Sequence, residues 1–313
     1  MIGALALFGY ALAAAWCVPS LLAPLTRRGA SPRLGLAAWL MATASVLASA
    51  AFGIESVIGT AAADWPQLTK DLCRSVAGQG CTPEVYGSAL YSAGVAILAA
   101  GVTLAALVAL WRYGRRLRRA RQQTRTHADI ARITGRALPG TGAVVLDDPR
   151  PAAYCVAGHP AAIVITSGAL AVLDQPQLAA VLAHERAHLA HRHHLLTMAT
   201  RGLAAAFPAV PLFTQGSAEV ARLAEMAADD AAARGSGRPT VIAALLALAT
   251  GTVIPAATLG VVLAAATQSV PARVERMLAP PRPVTSAAFA AALALTAAVL
   301  AAAPVAVAVL SAR

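Results

Sequence analysis

This chain has little charge. Asp, Glu, Lys and Arg together make up 12% of its 313 residues, against 58% hydrophobic ones, and the mean hydropathy is +0.65. That balance excludes an ordinary soluble domain, in which about a quarter of the residues are charged, and marks a chain built for a bilayer. Of the little charge present, acid is the scarcer sign: 14 acidic residues against 25 basic ones leave a net charge of +11. Such an excess is also a footprint of nucleic-acid binding. Here the arginines gather at the edges of apolar stretches, where orientation in a membrane needs them, so no nucleic-acid partner is expected. Cysteine is sparser still, at four residues. Cys17, Cys73, Cys81 and Cys155 are too scattered for a zinc ribbon or a disulfide framework, and only Cys73 and Cys81 lie close together. Histidine occurs seven times, yet five of the seven crowd into residues 184–194, in "HERAHLAHRHH".

A helix needs about 20 apolar residues to span the hydrocarbon core. Residues 2–25, 34–60, 88–111 and 284–310 qualify. The first run has no basic segment before it, so it reads as an uncleaved span rather than a signal peptide. Arg27, Arg28 and Arg33 lie between the first two spans, and "WRYGRRLRRARQQTR" follows the third. By the positive-inside rule both segments face the cytoplasm, and the loop of residues 61–87, with its candidate Cys73–Cys81 disulfide, faces the other side. The expected organisation is three spans in residues 1–111, a cytoplasmic domain in 112–283 and a fourth span in 284–313. A second apolar stretch, residues 241–267, is flanked by arginines on both sides and is expected not to cross.

The middle region holds all seven histidines. It opens with a basic helix suited to lipid headgroups. Next come the β-branched runs "AVVLDDP" and "AAYCVAGHPAAIVITSGAL", which read as two or three short strands. Asp174 followed by Pro176 marks a helix start that carries the apolar pattern into the histidine cluster. On that helix His184 and His188 are four residues apart, on one face and one turn from each other, so both imidazoles can grip one zinc ion. Glu185 completes H-E-x-x-H, a pattern in which the glutamate binds no metal but takes a proton from the attacking water.

Catalytic zinc needs a third protein ligand, and two readings compete. His194 would extend the motif toward H-E-x-x-H-x-x-G-x-x-H, but the glycine is replaced by His191 and "LLTMATRGL" reads as uninterrupted helix. His191, His193 and His194 are therefore expected at a solvated or headgroup-facing helix end. Alternatively Glu225 and Asp229, again four apart on one face, supply one ligand and one partner for a ligand histidine's second nitrogen. Nothing assigns the oxyanion-stabilising group, for which Arg222 and Tyr154 are the candidates.

"LAAVLAHERAHLAHRHH" followed by "RLAEMAADDAA" resembles the gluzincin arrangement of integral-membrane zinc peptidases. The order of three spans, two strands, the two zinc helices, "VPARVERML" and a last span is similar to the BlaR/MecR-type antirepressor peptidases, relatives of HtpX-type peptidases. The resemblance implies a mainly α membrane protein with an inserted α+β zincin-like domain. It also implies His184, His188 and Glu225 as Zn²⁺ ligands, Glu185 as base and Asp229 as the partner behind a ligand. The antirepressor sensors continue into an extracellular penicillin-binding domain, whereas this sequence stops at Arg313. The expected activity is hydrolysis of peptide bonds in cytoplasmic or membrane proteins, with a cytoplasmic repressor among the candidate substrates. Extended substrate would pair along the strand carrying Tyr154, Cys155 and Val156. The alternatives are HtpX-like quality control and a signalling or scaffold protein whose zinc site turns nothing over. The topology is checked directly: a reporter inserted near Arg125 is expected in the cytoplasm and one fused after Arg313 outside it, and the reverse pattern overturns the arrangement.

Overall fold

The computed structural model describes residues 2–76, 83–156, 161–253, 270–280 and 283–311. Among these, four helices are long and apolar enough to cross a membrane. They are α1 (Ile2–Thr26), the first part of α2 (Pro32–Val76), the apolar part of α3 (Pro83–Thr134) and α10 (Pro283–Ser311). Apolarity marks where the hydrocarbon ends, not where a helix ends, and one boundary moves accordingly. The loop expected over residues 61–87 is mostly helix, because α2 continues to Val76 and α3 begins at Pro83. The basic helix expected past residue 111 is the continuation of α3, unbroken for about 33 Å past Arg112. The side chain of Cys73 and all of Cys81 lie outside the described residues, and so does the disulfide considered for them.

Beyond α3 the chain forms a four-stranded sheet of order β1-β2-β4-β3, from β1 (Arg136–Leu138), β2 (Ala143–Leu146), β3 (Ala153–Val156) and β4 (Ala162–Thr166). β2 and β4 run parallel, while β1 and β3 pair antiparallel at the two edges. Strand parity divides the sheet. Ala143, Ile163 and Ile165 join the larger core, and Val156 and Val164 turn to the other face, against Ala131 at the end of α3.

The larger core is closed by helices. α4 (Ser167–Val172) leads to α5 (Gln175–Ala190), which starts where the sequence marks it: Asp174 accepts the Gln177 backbone N–H at 2.8 Å, and the Gln177 side chain accepts the Asp174 N–H in return. α8 (Arg238–Thr250) packs on α5 and α9 (Val270–Leu278) on α8, burying Val241, Ile242, Leu246 and Val274. The first ten residues of the apolar stretch 241–267 are therefore domain core, and residues 254–267 lie outside the described residues.

Two more helices tie this domain to the spans. α6 (His193–Ala206) and α7 (Pro211–Ser236) form a hairpin, turning at residues 207–210. The first half of α7 sits in the helix bundle, where Leu212, Phe213 and Leu223 pack with Leu22, Trp39 and Leu293. At the end of α1, Arg222 donates to the Thr26 carbonyl at 2.9 Å and the Arg27 carbonyl at 3.2 Å, satisfying acceptors that a helix end leaves open. Arg276 donates to the Gly29 carbonyl at 2.8 Å while forking onto Asp230 at 2.7 and 2.9 Å. The turn carrying Arg27 and Arg28 thus lies on the same side of the bundle as the sheet domain.

Candidate metal centre

α5 and α7 lie side by side and bring together the residues singled out at four-residue spacing. His188 Nε2 lies 3.1 Å from His184 Nε2, and the Glu225 carboxylate oxygens lie 3.5 Å from each of these nitrogens. Three donors around a tetrahedral zinc, with bonds of 2.0–2.1 Å, stand about 3.3 Å apart. With one atom from each residue, the donors of His184, His188 and Glu225 all lie within 4.8 Å of one another, and two imidazoles with a carboxylate are a donor set suited to that ion.

Each imidazole is backed at its other nitrogen. His184 Nδ1 is 3.1 Å from Asp229 Oδ1, and the Asp229 side chain is only 1% exposed. Behind His188 stands His193, whose Nδ1 lies 3.1 Å from His188 Nδ1. Burial pushes both His188 and His193 down to about 4, helped at His188 by the charges of His184 and Arg273 against that of Glu225, and at His193 by His188 and His191, so both are neutral near pH 7 and one N–H joins the pair. For His188 to offer Nε2 to a metal, its Nδ1 carries the proton and donates it to His193. From the protein's own groups, His184 behaves differently. Burial opposes its charge, but hydrogen bonds to Asp229 and Glu225 lift its pKa to about 9, and the Nε2 proton is the one a metal displaces.

Arg273, from α9, completes the centre. Its Nε donates to Asp229 Oδ2 at 2.8 Å, and Nη1 lies 3.1 Å from Glu225 Oε2. Against the cost of burial, the hydrogen bonds from Arg273 and His184 hold Asp229 at about 2, and His184 together with Arg273 holds Glu225 at about 2. Glu185 is the exception among the carboxyls. Burial raises it to about 7, partly opposed by the charge on His184 and by the Cys155 thiol that donates to it. Burial and the neighbouring Glu185 push that thiol up to about 12, so it stays a donor. Glu185, Ala153 and Arg273 line a pocket of about 150 Å³ beside the donors.

Several expectations change. Of Tyr154, Cys155 and Val156, only Cys155 faces the centre: alternation along β3 turns Tyr154 and Val156 to the opposite side of the sheet, against α3. Tyr154 is thereby removed as an oxyanion group. Arg222 is removed too, because its guanidinium is spent on Glu219 and the end of α1. The helix expected to run on through His191 instead breaks there: Arg192 adopts φ 52, ψ 35 and α6 starts afresh. That turn buries His193, at 3% exposure, instead of leaving it at a solvated end. His194 stays outside the donor set, and His191 Nε2 contacts Arg33 at 3.1 Å.

Residues 117–280, a little over half of the chain, match the profile of Peptidase family M48. The chain belongs to Peptidase family M48. It is 39% identical over 82 residues to the Protease HtpX homolog of Acidiphilium cryptum (strain JF-5), covering 25% of this chain and 29% of that protein. Against the Protease HtpX homolog of Ralstonia pickettii (strain 12J) the identity is 33% over 87 residues, with 27% and 30% covered. The matched segment thus spans under a third of these curated relatives. No solved structure shows a significant match.

Sequence reasoning missed His193 and the role of Arg273. The signal for Arg273 was the segment "VPARVERML"; His193 had none, since no Gly or Pro marks the turn before it. Arg273→Ala strands Asp229 as a buried charge and is expected to lower stability by about 3–5 kcal/mol. Chemical denaturation of the purified protein checks it, and a loss below about 1 kcal/mol would mean that the pair behaves as a surface salt bridge.

Proposed function

We propose that this membrane member of family M48 is a zinc endopeptidase of the cytoplasmic membrane. Residues 1–111 supply three spans, 112–283 a cytoplasmic peptidase domain and 284–313 a fourth span. The observation that carries this reading is the donor set of His184, His188 and Glu225, with Glu185 buried beside it. In this reading His184, His188 and Glu225 hold the ion, while Asp229 and His193 fix the two imidazoles. When bound, zinc polarises the scissile carbonyl and acidifies an attacking water. Glu185 accepts that water's proton and passes it to the leaving amine, work suited to a carboxyl with a pKa near the operating pH. The substrate backbone lies between α5 and β3. That strand is paired on one side only among the described residues, so it can accept one more strand.

The arginine pattern and the docking of the α1–α2 turn on α7 support substrates on the cytoplasmic side, either soluble proteins or the inner segments of membrane proteins. Similarity to HtpX homologues favours membrane quality control. The order of three spans, peptidase and a last span favours regulated cleavage of a cytoplasmic repressor. A proteome comparison of wild type with a Glu185→Gln strain separates these, by many fragments lost or by one.

Two sets of variants test the chemistry. Glu185→Gln is expected to lose about 10²–10⁴-fold in peptide hydrolysis while retaining zinc. Glu225→Ala should lose the metal itself, and a chelator should abolish the wild-type activity until zinc is restored. A Glu185→Gln protein with full biological function would instead establish the non-catalytic scaffold.

The acid limb of kcat/KM offers a further check. Only ionised Glu185 accepts a proton, so activity rises with pH through its pKa. The Cys155 thiol lowers that pKa, and Cys155→Ala should therefore move the acid limb to higher pH. A shift to lower pH, or none, would remove the thiol from any part in tuning Glu185.

A further inference from the structure

We propose that the cleft between α3 and α6 binds one anionic phospholipid, with its phosphate on arginines and an acyl chain along an apolar floor. The inference rests on α3 being a membrane span and is independent of the peptidase chemistry. The cleft measures about 880 Å³. Arg116, Arg121 and Arg125 on one wall face Arg201, Arg192 and His194 on the other, and no carboxylate lines it. Five like charges around one space repel each other and call for an anion between them. Guanidinium groups meet phosphate oxygens in forked pairs better than they meet water.

Two unpaired atoms mark the place. Among the described residues, four buried side-chain nitrogens or oxygens have no hydrogen-bond partner, and two of them, Arg116 Nη1 and His194 Nδ1, belong to residues lining this one cleft. A buried donor left unpaired is costly, and phosphate supplies the missing acceptors.

The floor and the position select a lipid over other anions. Leu117, Leu189, Leu195 and Met198 supply hydrocarbon that inorganic phosphate or an acidic peptide does not need. Arg116 lies five residues, about 7.5 Å, beyond Trp111. That indole is 54% exposed under the Arg115 guanidinium, at 4.9 Å from the ring centroid, as an aromatic at a membrane surface would be. α6 runs back along α3 closely enough that a Cβ on Gly202 would come within 2.8 Å of the Tyr113 ring. Arg201, the neighbour of Gly202, therefore faces the cleft near the membrane end of the basic segment, where headgroup phosphates lie.

The test uses full-length protein in neutral detergent, with dioctanoyl-phosphatidylglycerol as probe and native mass spectrometry as readout. Arg116→Gln/Arg201→Gln is expected to weaken binding at least about ten-fold, the loss of one forked pair. Met198→Trp, which fills the floor and keeps every charge, should do the same and carries the test if the double variant does not fold. Arg118→Gln/Arg119→Gln removes the same charge from exposed positions outside the cleft and should leave binding unchanged. Equal losses in both double variants would make the site a diffuse basic surface and overturn the proposal. Competition by glycerophosphate or a Glu-rich peptide as strong as that of the intact lipid would overturn it as well, reassigning the cleft to free phosphate or an acidic segment. Undiminished lipid binding in Met198→Trp would place the lipid elsewhere.

Discussion

Asp229 sits 1% exposed beneath His184, and a carboxylate there holds its charge only because an imidazole N–H and the Arg273 guanidinium are pressed against it. Those contacts join α5, α7 and α9, which are far apart in sequence, at one point. They also settle the position of Glu225, one turn before Asp229 on the same face of α7 and touched by the same arginine. Once a metal displaces the His184 proton, Glu225 and Asp229 exceed Arg273 by one negative charge, and by two when Glu185 is ionised. A divalent cation at the donor set balances those two. The same arginine thus steadies the site without a metal and leaves room for one.

What could be read in the sequence was what repeats at helical spacing. His184 with His188, and Glu225 with Asp229, are pairs four apart, and a helix fixes where such pairs point before any tertiary structure is known. The capped start of α5 at Asp174 is local in the same way. What could not be read depends on parity or on long-range closure. A four-residue strand such as β3 gives no signal for which alternate residues face the zinc helix, so Tyr154 and Cys155 looked equivalent. Arg273 lies 44 residues beyond Asp229, and its arginine neighbours made it look like one more membrane-flanking charge. The helix past residue 60 was missed because hydropathy reports solvent, not backbone conformation.

The docking of the domain follows from the same scarcity of charge that makes the chain a membrane protein. Few ion pairs are available, and two of them, Arg222 with Glu219 and Arg276 with Asp230, are placed against the α1–α2 turn. Thr26 joins them by donating to Glu219 at 3.0 Å. Because the first half of α7 belongs to the helix bundle and its second half carries Glu225, the metal centre is not on a tether. Its height above the bilayer is set by one continuous helix. Under the proposed function, substrate would meet the donor set at a fixed level, as suits segments emerging from the membrane or chains extended along it.

The break at Arg192 is the one place where the backbone is forced. Arg192 is the only non-glycine with positive φ among the described residues, and the left-handed region is unfavourable for an arginine by about 1–2 kcal/mol. A straight continuation would carry the His193 side chain to the far face of α5, about 500° around the axis from His188. The left-handed residue instead kinks the chain and brings His193 beside His188, where it is buried. Beyond the kink α6 runs along α3 and forms the second wall of the arginine cleft. One strained residue thus sets both the place of His193 behind a candidate ligand and one wall of the arginine cleft, at a turn that neither glycine nor proline marks.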